Sequence, residues 1–211
     1  MPTHFKLLYA DARGLGEVAR LILHYAGVDF EDDRSVTFEK IEKIRNELPF
    51  GQVPVLIIDG THKIAQSYAI YRFLGREFGL SGQNNVESAL VDSYADFIKD
   101  LMKHCDEYMY SLDGTYGDPK KSNELGKSAN NYVKNKFEVY LNRVVDESKS
   151  GFFLPSGLSW ADFVAANYYE SAKNVGMDCV VNVRGLKTIY DNVYNLLQLQ
   201  SYLSSRRHYI L

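Results

Sequence analysis

Two short stretches carry the residue types best suited to chemistry. "FGQVPVLIIDGTHKIAQS", residues 50–67, sets Pro54 just ahead of an apolar run and the pair Gln66-Ser67 just ahead of a helical pattern. A helix start leaves main-chain N–H groups without intrahelical partners and carries a partial positive charge, so Gln66 and Ser67 stand at a natural site for a carboxylate. "FKLLY", residues 5–9, ends a strand pattern on the phenol of Tyr9, directly before "ADARGLGE". Cys105 and Cys179 form no C-x-x-C pair and no zinc spacing, and His4, His24, His62, His104 and His208 make no ligand cluster. Thiol chemistry here must therefore use a borrowed thiol, and no metal is expected. Ser159 and Asp162 in "LSWADF" look catalytic by type, but their S-x-x-D spacing satisfies reciprocal backbone donors at a helix start.

These residues need elements to position them. Residues 14–26 carry Val18, Leu21, Ile22 and Tyr25 at helical spacing, with Gly27 as a stop. "VDFEDDRS" reads as a weaker second strand, residues 38–48 as a short helix with Ile41 and Ile44 inward, and "VPVLIID" as a strong third strand. Asp59-Gly60 signals a hairpin that returns the chain as "THKIAQ". Ser67 is then placed to cap a helix bearing Ile70, Phe73, Leu74 and Phe78. The order βαβαββα predicts a mixed four-stranded sheet of the thioredoxin type over residues 1–78. Residues 79–86 are polar and turn-rich and read as a linker. Residues 87–211 read as all helix: 87–110, about 124–146, a helix opened by Ser159, and shorter segments over 185–206. The fold class is α/β followed by all-α.

With 24 basic and 27 acidic side chains the net charge is −3, which gives no electrostatic footprint for nucleic acid or an anionic membrane surface. No apolar stretch approaches the roughly 20 residues of a transmembrane helix. The first residues, "MPTHFKLLYADARG", lack the pattern of a signal peptide, so a cytoplasmic location is the expectation.

A thioredoxin-like half followed by a helical half, with Tyr9 ending the first strand, resembles the soluble glutathione transferases over nearly the whole chain. The stretches that carry the likeness are "LLYADARGLGEVARLIL", "ELPFGQVPVLIIDG", "IAQSYAIYRFL" and "LSWADF". The tyrosine on the first strand, with the "RGxxE" and "PFGQVPVL" forms, is most similar to the sigma class and its invertebrate relatives.

The resemblance implies a homodimeric enzyme that takes glutathione as co-substrate, needs no metal, and conjugates it to small hydrophobic electrophiles. Tyr9 would donate its hydroxyl proton to the glutathione sulfur and hold it as thiolate. A cis bond before Pro54 would turn the main chain of Val53 toward the cysteinyl residue, and Gln66 and Ser67 would take the γ-glutamyl carboxylate. Towards the glycyl end the family commonly presents a tryptophan and a lysine, where this chain has Ile41 and Arg45; Arg45 can still hold a carboxylate, with Gln52 beside it. Asp100 of the partner subunit would reach the ligand's α-amino group. Arg13 either adds positive potential or pairs with Glu17 four residues on, and the pairing is the stronger expectation. The loop after Tyr9, the first long helix and the C-terminal segment would supply the hydrophobic pocket, with Leu15, Lys99, Met102, Tyr108 and Val164 as lining residues. Leu15 replaces the arginine of prostaglandin D synthase relatives, and Lys99 replaces the aspartate that some sigma relatives link to divalent metal. Alternative readings of the same resemblance are a glutathione-dependent isomerase or peroxidase, a carrier of haem or other hydrophobic ligands, and a crystallin-like structural protein.

Overall fold

The computed structural model describes residues 3–210. Its elements run β1 (Phe5–Leu8), α1 (Glu17–Tyr25), β2 (Phe30–Asp33), α2 (Phe38–Ile44), β3 (Val55–Ile58), β4 (His62–Ala65) and α3 (Ser67–Glu77). A run of helices follows: α4 (Asn85–Asp113), α5 (Ser122–Tyr132), α6 (Glu138–Ser148), α7 (Trp160–Asn174), α8 (Asp178–Val181), α9 (Arg184–Tyr194) and α10 (Gln200–Ser205). The chain divides into two compact units, one reaching to Leu80 and including Leu196–Tyr209, the other Ser81–Asn195.

In the first unit the strands lie in the order β2-β1-β3-β4. β1 and β2 are parallel across the α1 crossover, while β1–β3 and β3–β4 are antiparallel, which is the mixed thioredoxin-like sheet the element order predicts. The crossover is needed because parallel neighbours cannot be joined by a tight turn. Asp59 and Gly60 both take positive φ, 49° and 70°, and their turn sets Ile58 opposite His62. On one side of the sheet Leu8, Val36, Leu48, Val55 and Ala65 form a buried cluster, with Ile41, Ile44 and Val53 packed against it. α1 and α3 pack together, and the α1 residues Val18, Leu21 and Ile22 are fully buried, as their spacing predicts.

The second unit is built around α7, which packs against α4, α8 and α9 and is buried along most of its length. Its start is held by Asp162, whose carboxylate accepts from the Ser159 amide at 2.8 Å and from the Phe153 amide at 2.9 Å. The S-x-x-D pattern is therefore a capping box, and its serine and aspartate do structural work.

Three boundaries differ from those read in the sequence. α4 begins at Asn85, because the Asn84 side chain accepts from the Val86 and Glu87 amides, and it runs on to Gly114 in the left-handed conformation. The helix read as residues 124–146 is interrupted by a π-helical stretch, Val133–Phe137, that keeps Val133 and Phe137 both buried. Ser67 is the first helical residue of α3, and Gln66 is the cap position. Among the described residues no helix is long and apolar enough to cross a membrane.

Candidate active site

Tyr9 stands one residue past β1, where its amide still donates to Asp33 O at 3.0 Å and so continues the β1–β2 pairing. Its ring lies over the turn that opens α1. A Cβ added at Gly14 would fall 2.5 Å from the Tyr9 hydroxyl, and one at Gly16 would fall 2.8 Å from Tyr9 Cγ, so the two glycines form the bed of the ring. Gly14 also takes φ 37°, which favours glycine in its own right. The Leu15 amide between them donates to the Tyr9 hydroxyl at 3.0 Å. That bond fills one acceptor site of the phenol oxygen and fixes where the hydroxyl stands at the start of α1.

The same peptide is fixed from its other side. The Tyr71 hydroxyl donates to Leu15 O at 2.6 Å and is itself hydrogen bonded to the Ser67 side chain. Burial drives Tyr71 far above the ordinary phenol range, so it serves as a neutral donor. A continuous set of contacts therefore joins Tyr9, the Leu15 peptide, Tyr71 and Ser67 at the start of α3. Neither Tyr71 nor this relay was read from the sequence, where Tyr71 is one more aromatic on an amphipathic helix.

At the α3 start Gln66 has φ 71° and ψ 113°, a conformation that a residue with a side chain holds only when its surroundings impose it. Its carbonyl accepts from Ala69 and Ile70 at 2.9 and 3.0 Å, so the Ser67 and Tyr68 amides stand ahead of the ladder at the positive end of the helix. The Gln66 side chain donates to Gln52 Oε1 at 3.4 Å. Gly51, next to Gln52, lies so close to Arg45 that a Cβ there would meet Arg45 Cγ at 2.9 Å. Arg45 itself is half exposed and paired with Glu42. Val53 packs into the sheet cluster beside Val55 and Ala65, the Val53–Pro54 bond is cis, and Pro54 is buried. Tyr9, Arg45, Gln52, Val53, Pro54, Gln66 and Ser67 thus all lie in the first unit, with Gln66 bonded to Gln52 and Arg45 against the neighbouring Gly51. Ile41, packed against that same cluster, offers only aliphatic surface.

The remaining sequence-derived residues divide by place. The Leu15 side chain is exposed while its main chain does the bonding described above. Lys99 and Asp100 are exposed on α4, and Asp100 O bonds His104 Nδ1 at 2.8 Å. Met102 is half-buried; Tyr108 lies against Gly126 of α5, where an added Cβ would touch its ring at 3.0 Å; Val164 is buried in α7. Burial pushes the Cys105 thiol up to about 12, which suits a core side chain and not a nucleophile. Among the described residues no group of three or more His, Cys, Asp or Glu could hold a metal ion.

Sequence reasoning also missed the charges beneath Tyr9. Arg20, fully buried on α1, places its Cζ 5.7 Å from the centroid of the Tyr9 ring. Glu17, which the sequence pairs with Arg13, accepts at its carboxylate from Arg20, Tyr202 and Arg206, while its amide bonds Arg13 O at 2.9 Å. The available signal was the pair of charges at i and i+3 inside the apolar face of α1.

Two family models match the chain: Glutathione S-transferase, N-terminal domain, over residues 6–76, and Glutathione S-transferase, C-terminal domain, over residues 99–206. The chain is 33% identical to probable glutathione S-transferase 6 of Caenorhabditis elegans, covering 98% of each chain. The solved structure of monomeric Na-GST-3, a glutathione S-transferase of Necator americanus, is 33% identical with a TM-score of 0.86, covering 99% of this chain and all of that one. Prostaglandin synthase D of Nilaparvata lugens is 29% identical with a TM-score of 0.79, covering 98% of this chain and all of that one.

Proposed function

The chain belongs to the glutathione S-transferase family, and from that premise we propose that it conjugates glutathione to small hydrophobic electrophiles. The glutathione thiolate attacks an electrophilic carbon, the new C–S bond forms, and the leaving group departs with its bonding pair. A free cysteine thiol has an ordinary pKa of about 8.5 and is only a few per cent thiolate at neutral pH, so the sulfur needs a hydrogen-bond donor. Tyr9 is that donor. The observation that supports the reading is the 3.0 Å bond from the Leu15 amide to the Tyr9 hydroxyl, which fixes the phenol in the unit that also carries the α3 start and the cis Val53–Pro54 bond.

The tripeptide would lie along the first unit. Its γ-glutamyl carboxylate would take the amides at the α3 start, with Ser67 and Gln66; the Val53 main chain beside Pro54 would hold the cysteinyl residue; Gln52 and Arg45 would take the glycyl carboxylate. In a homodimer Asp100 of the partner subunit would complete the site at the α-amino group. Residues 1–78 then form the glutathione domain and 87–211 the helical domain, joined by the 79–86 linker; Leu15, Lys99, Met102, Tyr108 and Val164 would be the residues that meet the electrophile. The "RGxxE" and "PFGQVPVL" forms support assignment to the sigma class.

Glutathione-affinity capture followed by a Tyr9→Phe comparison tests this. If the phenol lowers the thiol pKa by about two units, from about 8.5 to about 6.5, Tyr9→Phe loses roughly 25-fold in kcat/KM at about pH 7 while still binding glutathione. Full activity in that variant would overturn the reading. The similarity to the Nilaparvata lugens prostaglandin synthase favours isomerisation as the second reading, against which Leu15 stands in place of an arginine. A panel of a chlorinated aromatic, an organic hydroperoxide and prostaglandin H2 separates conjugation, peroxidase and isomerase activity.

A further inference from the structure

Arg20 and Glu17 pose a physical question. Both are buried, and a buried ion pair is at best a weak source of stability, since apolar side chains of similar volume serve a core as well or better. Their contacts point to another purpose. Arg20 donates to Ala12 O at 2.6 Å and to Ala10 O at 3.3 Å, and so ties down two carbonyls of the segment that leads from Tyr9 to Leu15. It is held in turn by Asp32, at 3.0 and 3.1 Å, and by Glu17 at 3.4 Å.

Glu17 starts α1 immediately after the Gly14–Gly16 turn, so its position sets where the Leu15 peptide lies. Two of its partners come from the far end of the chain. The Tyr202 hydroxyl lies 3.0 Å from both carboxylate oxygens, and Arg206 reaches the carboxylate at 2.6 Å. Tyr202 is locked by stacking on His24 of α1 at 4.0 Å between ring centroids. All these residues belong to the first unit.

We propose that Tyr202 and Arg206, acting through Glu17 and Arg20, are positioning residues for Tyr9: the C-terminal segment fixes the α1 start so that the Leu15 amide stays on the phenol oxygen, and Arg206 offsets the Glu17 charge close to the developing thiolate. This rests on Tyr9 as the thiolate's donor. Loss of Arg206 leaves the Glu17 carboxylate less compensated, and a negative charge near the sulfur disfavours the thiolate, so the thiol pKa rises.

The test is a pH titration of the ultraviolet thiolate absorbance of bound glutathione, with kcat and KM measured separately, in Arg206→Gln, Arg206→Lys, Tyr202→Phe and Tyr9→Phe. Arg206→Gln should raise the thiol's apparent pKa by about half to one unit and lower kcat at neutral pH roughly 1.5- to threefold. KM for glutathione should stay within about twofold, kcat should recover as pH is raised, and Arg206→Lys should restore most of the loss. Tyr202→Phe, which keeps the stacked ring, should shift the pKa in the same direction. A pKa that stays put in folded Arg206→Gln and Tyr202→Phe while Tyr9→Phe moves it overturns the positioning role alone, as does a kcat deficit equal at every pH. No shift in Tyr9→Phe overturns the thiolate reading and the positioning role with it.

Discussion

Gly16→Ala isolates the placement of the Tyr9 ring from its chemistry. Gly16 has φ −84°, an ordinary backbone conformation, so alanine adds no torsional strain. The added methyl, however, would stand 2.8 Å from Tyr9 Cγ and closer still to Cδ1. Ordinary carbon contacts are roughly 3.5–4.0 Å, so the ring must retreat by about 0.7 Å at Cγ and by more at Cδ1. As the ring retreats, the Leu15 amide would lose its 3.0 Å bond to the hydroxyl. A displacement near 1 Å at a reacting group costs on the order of a hundredfold, whereas overpacking costs stability only about 1–3 kcal/mol. Steady-state kinetics with a chlorinated aromatic, with glutathione affinity and a denaturant midpoint measured alongside, should give a kcat/KM loss of roughly ten- to a hundredfold in a folded protein that still binds glutathione. Gly27→Ala is the control: nothing lies within 4 Å of its Cβ, yet φ is 65°, so it should lose stability and keep activity. If Gly16→Ala were as active as Gly27→Ala, the claim that the turn sets the phenol would be wrong.

Two further predictions concern the helical unit. Asp162→Ala strips the Ser159 and Phe153 amides of their buried acceptor and should destabilise the protein by roughly 2–6 kcal/mol in denaturant titration; a loss under about 1 kcal/mol would mean water replaces the carboxylate. Asp106 on α4 is raised by burial from the usual 3.8 to about 6, with the Tyr168 hydroxyl opposing the shift. The ionised form is therefore disfavoured in the folded state: the penalty is absent below the unfolded value, grows as pH rises through the window and is complete above about 6. Asp106→Asn should match the parent at low pH and exceed it above that window by on the order of 3 kcal/mol, and a stability difference independent of pH would refute the assignment.

The order of elements was legible because each has a local cause. A continuous apolar run after Pro54 made β3, a 3-4 spacing with Gly27 made α1, and Asp59-Gly60 made the hairpin. The cis Val53–Pro54 bond and the Tyr9 position followed from resemblance, and both lie where the resemblance put them relative to β1 and β3. The α3 start was misread by one residue: serine is the better cap by type, but the chain must turn out of β4 through Gln66 at positive φ, which makes Gln66 the cap position. The break inside residues 124–146 carries no glycine or proline and stayed invisible, because burying both Val133 and Phe137 is a demand of packing.

By itself the sequence determined the βαβαββα order, the helical remainder, the capping box at Ser159 and the presence of a phenol and a helix start in one half of the chain. Each of these depends on residues within a few positions of one another, where spacing and intrinsic conformation decide. Only the tertiary structure decided what surrounds the phenol: that Leu15 donates to it, that Tyr71 holds the Leu15 carbonyl, and that Glu17 is shared between Arg20 and two residues more than 180 positions away. Hydrogen bonds and buried charges are satisfied by whichever partners the packed chain brings near, and no local pattern names a partner that far along it.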